Sequence, residues 1–559
     1  MSRGNHNLEF FKNHIREATL LVVYVLVTLP QLGYSYVQPT DPVWVQRGIQ
    51  FYEAFRHFNF AQTYTKYHPG VPLMWITGIS YKIFYAFQKI HFGYVRDLFL
   101  YQVDLYSIYS FIAKFFIALV IMVILLYCYI VIRKYINSTF AFWTIFFIIT
   151  EPFVIGNIRS IHVDALAAFF MFAAVISFWA LQVEKSLSKK YLVLVGVFTG
   201  LALLTKISSI VLFPFFVVVA ISYFAESSLL RKEGRIRNAQ LQKTVISSFM
   251  IFLISVAVFY VLFPAMWVGP VSTVQKIISD GFLDTALNEE SSRIVFLGWD
   301  VMSFKYKYVA YLIQLAFRTT PALLILVVVG LIAGCRRILS GIVPILSLPK
   351  EKGLSRIGIL LFYSLIFIFG YYLMISISDK KIFRYILPMY PFLAIFASYG
   401  IRSFLGVSPS AIRQLAKAGG LTPIGILILY HLWQPISVSP NFFAYFNPLL
   451  GGIKNASKVI SLNQDATGYY IVGEYLNQKP NAEEITVGCY DSGPMRVYFR
   501  GYSVKLKLTG LSEEYLKDMD YILLPVQEGW QYLPKEEFVL EKVFRINNFD
   551  YWYLFNRTD

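Results

Sequence analysis

The chain has 559 residues, 57% of them hydrophobic and 15% charged, and an excess of lysine and arginine leaves a formal net charge of +17. That balance excludes a soluble globular domain and makes a lipid bilayer the solvent. The positive charge is therefore divided by side of the membrane, and no nucleic-acid partner is expected. The three cysteines, Cys128 and Cys335 at span ends and Cys489 alone in the tail, are too few for a disulfide framework.

At the N-terminus, Lys12 and Arg16 precede an apolar run without a small-residue cleavage site, which predicts a retained first helix rather than a removed signal peptide. Windows of about twenty apolar residues fall near 18–37, 109–132, 140–157, 161–182, 191–205, 207–224, 244–264, 316–335, 357–377, 385–404 and 419–435, eleven in all. The intervening turns place Arg133/Lys134, Lys185/Lys189/Lys190, Arg231/Lys232/Arg235/Arg237/Lys243, Arg336/Arg337/Lys350/Lys352/Arg356 and Arg402/Arg413/Lys417 on one side, with the N-terminus. By the positive-inside rule that side is cytoplasmic. Loops 38–108 and 265–315 and the tail then lie outside, and the chain is expected in a cell membrane as a multi-pass protein among membrane lipids.

In the first outer loop, 43–58 carries Trp44, Ile49, Phe51, Tyr52, Phe55 and Phe58, and 71–90 repeats apolar residues at helical spacing, which predicts two amphipathic helices in the interface. The tail changes character near residue 440. A helix over Gly468–Asn477 and strands over Ile485–Cys489, Val497–Leu506, Tyr521–Leu524, Val539–Phe544 and Tyr551–Phe555 are expected there. The predicted fold is an α-helical polytopic membrane protein with about eleven transmembrane helices and a small C-terminal extracytoplasmic α/β domain. Its domains are 1–439 and 440–559. No internal repeat supports a transporter or lipid flippase, the alternative for a chain of many spans.

Several charged residues stand where the outer face meets the spans. Asp41-Pro42 either starts a helix, as a cap followed by proline, or offers Asp41 as a general base toward an acceptor hydroxyl, and one carboxylate can do both. His68-Pro69-Gly70 is a turn signal or an imidazole placed on a sugar or acceptor. Arg159 and Asp164 flank the re-entry of a span, where an ionisable residue is a functional candidate, although Arg159 snorkelling to headgroups and Asp164 capping a helix account for them equally. Lys206 falls at an outer turn. Lys380, Lys381 and Arg384 put positive charge where short outer loops ordinarily lack it, toward a donor phosphate or plain phospholipid headgroups.

Taken in order, the acidic loop (Asp41, with Trp44, Arg47 and Phe51), the HPG turn with Met74-Trp75, RSIHVD, GLALLTK, KIFRYILPMYP and YFNP followed by GG resemble the GT-C superfamily of membrane glycosyltransferases. The similarity is to family 39, the dolichyl-phosphate-mannose–protein mannosyltransferases and aminoarabinose transferases. The resemblance implies a GT-C-like fold and a polyprenyl-phosphate-linked sugar donor. It also implies an acceptor protein, lipid or glycan, transfer on the outer face, and Asp41 as the catalytic base. The donor-phosphate candidates are Lys380, Lys381, Arg384, Lys206 and Arg159; the substrate-binding candidates are Arg47, His68, Asp164 and Tyr385. No cofactor and no metal are expected. The chain departs from the family in two places. Asp41 is followed by Pro42 where relatives often have Glu, so a second carboxylate, if the chemistry needs one, must come from Glu53 or Asp164. A DWGQ-like string after GG is replaced by Asn463-Gln464-Asp465-Ala466-Thr467-Gly468.

Overall fold

The computed structural model describes residues 2–35, 38–95, 103–184, 187–229, 234–284, 293–296, 299–302, 308–347, 355–378, 381–407, 423–460, 462, 466–506, 516–526 and 537–558. Lys380, Asn463-Gln464-Asp465 and the basic positions Lys185, Arg231, Lys232, Lys350, Lys352, Arg413 and Lys417 lie outside them.

The described part of each apolar window falls mostly on helix, although the first window, 18–37, runs past the helix end at Thr28, and 36–37 and 419–422 lie outside the described residues. The first falls on Ser2–Thr28, and the others follow in order to Pro423–Val438. Five described helices are long and apolar enough to cross a bilayer, and six if one bent pair counts as a span. Val163–Val183 is the centre. It is apolar all round, nearly every residue is buried, and it packs against Val103–Tyr135, Lys189–Thr205, Arg356–Ile377 and Tyr390–Val407; a helix without a polar face belongs inside a bundle.

The window 140–157 is not one straight helix. It breaks into Ser138–Ile149 and Pro152–Ile158, bent by 69°, because Pro152 supplies no N–H to continue the ladder and disfavours helix at Glu151. A buried polar network fills the break. Glu151 Oε1 accepts from the Thr320 N–H at 2.9 Å and Oε2 lies 2.8 Å from Thr320 Oγ1. His431 bridges Thr320 Oγ1 at 2.9 Å and Thr150 Oγ1 at 2.8 Å.

The two ends of the bundle differ. At one, Arg133 pairs with Glu17, Lys134 with Glu184 at 2.9 Å, and Trp179 Nε1–H donates to the Arg356 carbonyl at 3.0 Å. These are the turns read as cytoplasmic. At the other end gather the start of the Asp41–Arg56 helix, the HPG turn, the start of Val163–Val183, Lys206 and residues 381–389.

The loop helices Asp41–Arg56 and Val71–Phe92 pack on each other, and not all their aromatics face the interface as expected. Trp44 and Phe51 are buried, whereas Phe58 is 79% exposed. In the tail, Tyr469–Asn477 is helical, and a five-stranded sheet runs in the order Tyr502–Lys505, Thr486–Cys489, Tyr521–Pro525, Phe549–Arg557, Phe538–Ile546. The first three strands are parallel and the last two are added antiparallel. The strand expected over Val497–Leu506 is corrected. Ser492–Tyr498 is a helix and only Tyr502–Lys505 is strand, since a parallel neighbour of Thr486–Cys489 needs a crossover before it can pair.

Candidate active site

Asp41 opens its helix. Thr40 precedes it without a side-chain cap, and Pro42 occupies the first turn, where its missing N–H costs nothing. The Asp41 carboxylate does no capping: the residue is fully buried, and among the described residues the N–H groups of Gln38 and Ile161 act on its oxygens without completing a hydrogen bond of full geometry. Burial pushes this carboxyl from 3.8 up to about 6, against the opposing pull of Lys114, the backbone N–H groups of Gln38 and Ile161, and Arg384. A buried carboxyl with unused lone pairs and a value near neutrality has the properties of a general base.

The His68-Pro69-Gly70 turn holds the floor of the site together. Gly70 has a φ of +63°, and a Cβ there would stand 2.2 Å from the Trp44 ring, so the turn closes onto Trp44 only with glycine. The Gly70 N–H donates to the Thr205 carbonyl at 3.3 Å, which sets His68 beside Lys206. Trp44 meets His162 edge to face at 6.0 Å, and Arg47 covers Trp44 at 4.8 Å. Burial and then Lys206 hold the His68 imidazole well below its ordinary value, in the neutral form.

The Val163–Val183 helix presents Asp164 from its first turn, with His162 as N-cap accepting from the Asp164 N–H at 3.3 Å. Three groups converge on that carboxylate: Lys206 Nζ at 2.5 Å from Oδ1, and Arg384 Nε and His162 Nδ1 each at 2.9 Å from Oδ2. Asp164 and Lys206 are buried, and Arg384 nearly so. Two cations on one carboxylate leave a positive charge over. The Arg384 charge also favours the charged form of Asp41.

Beside this cluster opens a cavity of about 260 Å³. Its polar lining comes from His68, Lys206, Ser208, Ser378 and Tyr385, and its apolar wall from Ile207, Ile210, Met374, Ile375 and Ile377. The Lys206 ammonium lies 4.1 Å from the centre of the Tyr385 ring.

Other candidates are placed elsewhere. Arg159 does not join the cluster: its guanidinium donates to the carbonyls of Thr28 and, at 2.8 Å, Pro30, and to Ser35 Oγ at 3.0 Å. Those carbonyls end the first helix and have no intrahelical partner. Lys381 likewise caps the Arg356–Ile377 helix through the carbonyls of Ile375, Ser376 and Ser378, so the three-residue cradle reduces to Arg384 among the described residues, with Lys206 beside it. Glu53 pairs with Lys82 at 2.8 Å, whereas Asp164 lies with Lys206 and Arg384. Lys114 escaped the sequence reading although a lone lysine in FIAKFFIALV is an intramembrane charge and thus a signal. Tyr106 and Tyr498, on which the Asp41 charge acts, carried no local signal at all. Among the described residues no group of three His, Cys, Asp or Glu side chains forms a metal-binding set.

Fold and site together define a polytopic membrane protein with a buried carboxylate beside a cationic, apolar-walled cavity. Residues 62–275 match the family model described as dolichyl-phosphate-mannose-protein mannosyltransferase. This bears out the resemblance drawn from the HPG, RSIHVD and GLALLTK motifs, all within that stretch, while Asp41 lies upstream of it. Among solved structures, the chain is similar to ArnT from Cupriavidus metallidurans bound to undecaprenyl phosphate, with 14% identity, 97% of each chain covered and a TM-score of 0.46. It is also similar to the oligosaccharyltransferase AglB from Archaeoglobus fulgidus in complex with an inhibitory peptide and a dolichol-phosphate. That match has 11% identity, covers 94% of this chain and 70% of the other, and has a TM-score of 0.45. No curated protein sequence matches the chain.

Proposed function

We propose that the chain is a membrane glycosyltransferase that moves a sugar from a polyprenyl-phosphate carrier to an acceptor hydroxyl on the outer face, with inversion. The observation that carries this reading is the cavity beside Asp164, whose lining combines Lys206 and polar groups with a run of isoleucines and a methionine. That division suits an anionic headgroup on a long apolar chain, and the excess positive charge of Lys206 and Arg384 over Asp164 suits its phosphate.

The acceptor hydroxyl gives its proton to Asp41 as its oxygen attacks the anomeric carbon. The bond from that carbon to the phosphate oxygen breaks, and the electron pair leaves with the phosphate. Lys206 and Arg384 stabilise the developing charge, and a single displacement inverts the anomeric centre. In this reading the N-terminus is cytoplasmic, and loops 38–108 and 265–315 and the 440–559 domain lie outside. His68, Arg47 and Tyr385 shape the sugar and headgroup contacts.

The test is a membrane assay with a panel of polyprenyl-phosphate-linked hexoses and pentoses, scoring donor loss, release of the lipid phosphate and glycoside formed. Consumption of one donor with an inverted product is expected. Movement of lipid-linked sugars across the bilayer without consumption of any would overturn the reading in favour of a flippase.

A further inference from the structure

The helix Ser492–Tyr498 of the tail packs against both Asp41–Arg56 and Val103–Tyr135. Its last residue, Tyr498, is held in place from behind. Gly473 has no Cβ where one would meet Tyr498 Cβ at 2.6 Å, and Asn477 Nδ2 donates to the Tyr498 carbonyl at 2.8 Å. Tyr34 and Tyr470 meet its ring at 6.1 and 6.3 Å. The phenol is buried, and among the described residues its hydroxyl has no hydrogen-bond partner.

It is not alone in this. Gln38, Asp41, Tyr106 and Ser110 are also buried with side-chain polar atoms that have no partner among the described residues. Tyr106 and Ser110 are four residues apart and share a face of the Val103–Tyr135 helix with Lys114. Tyr106, Lys114 and Tyr498 each interact electrostatically with Asp41. Folded chains rarely leave so many buried polar groups unmatched in one place, and a carboxylate, an amide, two phenols and a hydroxyl around aromatic rings match a polyhydroxylated ligand.

We infer that Tyr498 is a positioning residue supplied by the tail: its hydroxyl holds a second polar group of the acceptor, next to the hydroxyl that Asp41 deprotonates. The inference rests on the proposed role of Asp41. It makes the tail part of the acceptor site and gives the acceptor a chemical class, a compound with neighbouring hydroxyls or equivalent polar groups.

The test uses the purified full chain, the polyprenyl-phosphate sugar it consumes, glycerol as a minimal polyol acceptor, and water as the competing acceptor. Tyr498→Phe is expected to raise the KM for glycerol about tenfold, the loss of one hydrogen bond, with kcat, donor KM and donor hydrolysis by water unchanged. Because the hydroxyl is unpaired in the folded chain, the same variant is expected to keep or raise Tm. An unchanged ratio of glycerol product to hydrolysis, an equal loss of both, or a lowered Tm overturns the inference. Asp41→Asn in parallel separates the two readings. Full glycerol transfer and hydrolysis by that variant removes the base itself, whereas their loss with an unaltered Tyr498→Phe removes only the role of Tyr498.

Discussion

Replacing Asp41 by Asn keeps the shape of the side chain and removes its charge, so activity and stability should move in opposite directions. The carboxyl stands at about 6 in the folded chain against 3.8 in an ordinary setting. At 1.36 kcal/mol per pH unit, that difference is about 3 kcal/mol. A carboxyl whose value is raised by folding contributes most below its unfolded value, and the contribution is lost as pH rises through the folded one. Above pH about 6 the native chain therefore carries a buried charge at a net cost of about 3 kcal/mol, what remains of the burial penalty after the pull of Lys114. Asn removes the cost. The Tm of Asp41→Asn should match the parent below pH about 4, exceed it increasingly between pH about 4 and about 6, and hold a constant excess above that, while donor turnover falls by about 10²–10⁴. The assay is turnover of a polyprenyl-phosphate sugar beside thermal unfolding of the same detergent-solubilised preparation across that range. Turnover close to the parent, or a Tm difference that does not change with pH, would refute the assignment of a buried base.

Lys114→Met should shift the acidic limb of the rate profile upward from about 6, because Lys114 leads the groups that oppose burial at Asp41. Loss of an adjacent opposite charge moves a carboxyl by about one to three pH units, so turnover at neutral pH falls and recovers in alkaline buffer. Arg384→Ala should raise the apparent donor KM at least about tenfold, as expected for a charged hydrogen bond, and Arg384→Lys should restore only part of it, since the planar fork is lost. An unchanged donor KM in Arg384→Ala would exclude phosphate contact. At the helix break, Thr150 Oγ1 donates to the Phe146 carbonyl at 2.6 Å and so accepts from His431, and the Glu151–Thr320–His431 chain has one proton to share. Glu151→Gln keeps every one of these bonds and should unfold within a few degrees of the parent. Glu151→Ala leaves the buried Thr320 N–H unmatched, at about 1–3 kcal/mol, and its hydroxyl with His431 alone, and should lower Tm clearly in the same melt.

The family model and the cavity bear on donor class, but the site itself is argued from residues that are far apart in sequence. Apolar windows located the helices because hydropathy and length are properties of a segment by itself. The charges at helix ends singled out Asp41, Asp164, Lys206 and Arg384 because a bilayer tolerates charge only where it has work or a partner. Lys114 was equally legible, as one cation in an apolar run. By contrast, Arg159 and Lys381 look no different in sequence from Arg384, yet they are occupied by the carbonyls of Thr28 and Pro30 and by those of Ile375, Ser376 and Ser378. Only the packing of one helix end against another decides which cation is spent on the backbone and which stays with Asp164. Tyr498 is the extreme case. It is one of 40 tyrosines, and its place near Asp41 depends on a crossover in the tail, on the absent side chain of Gly473 and on contact between helices more than three hundred and fifty residues apart. A segment's sequence sets what it can bury and where it can break. Which unpaired groups meet in the buried space between segments is settled by tertiary structure alone, because that contact energy belongs to pairs with no shared local pattern.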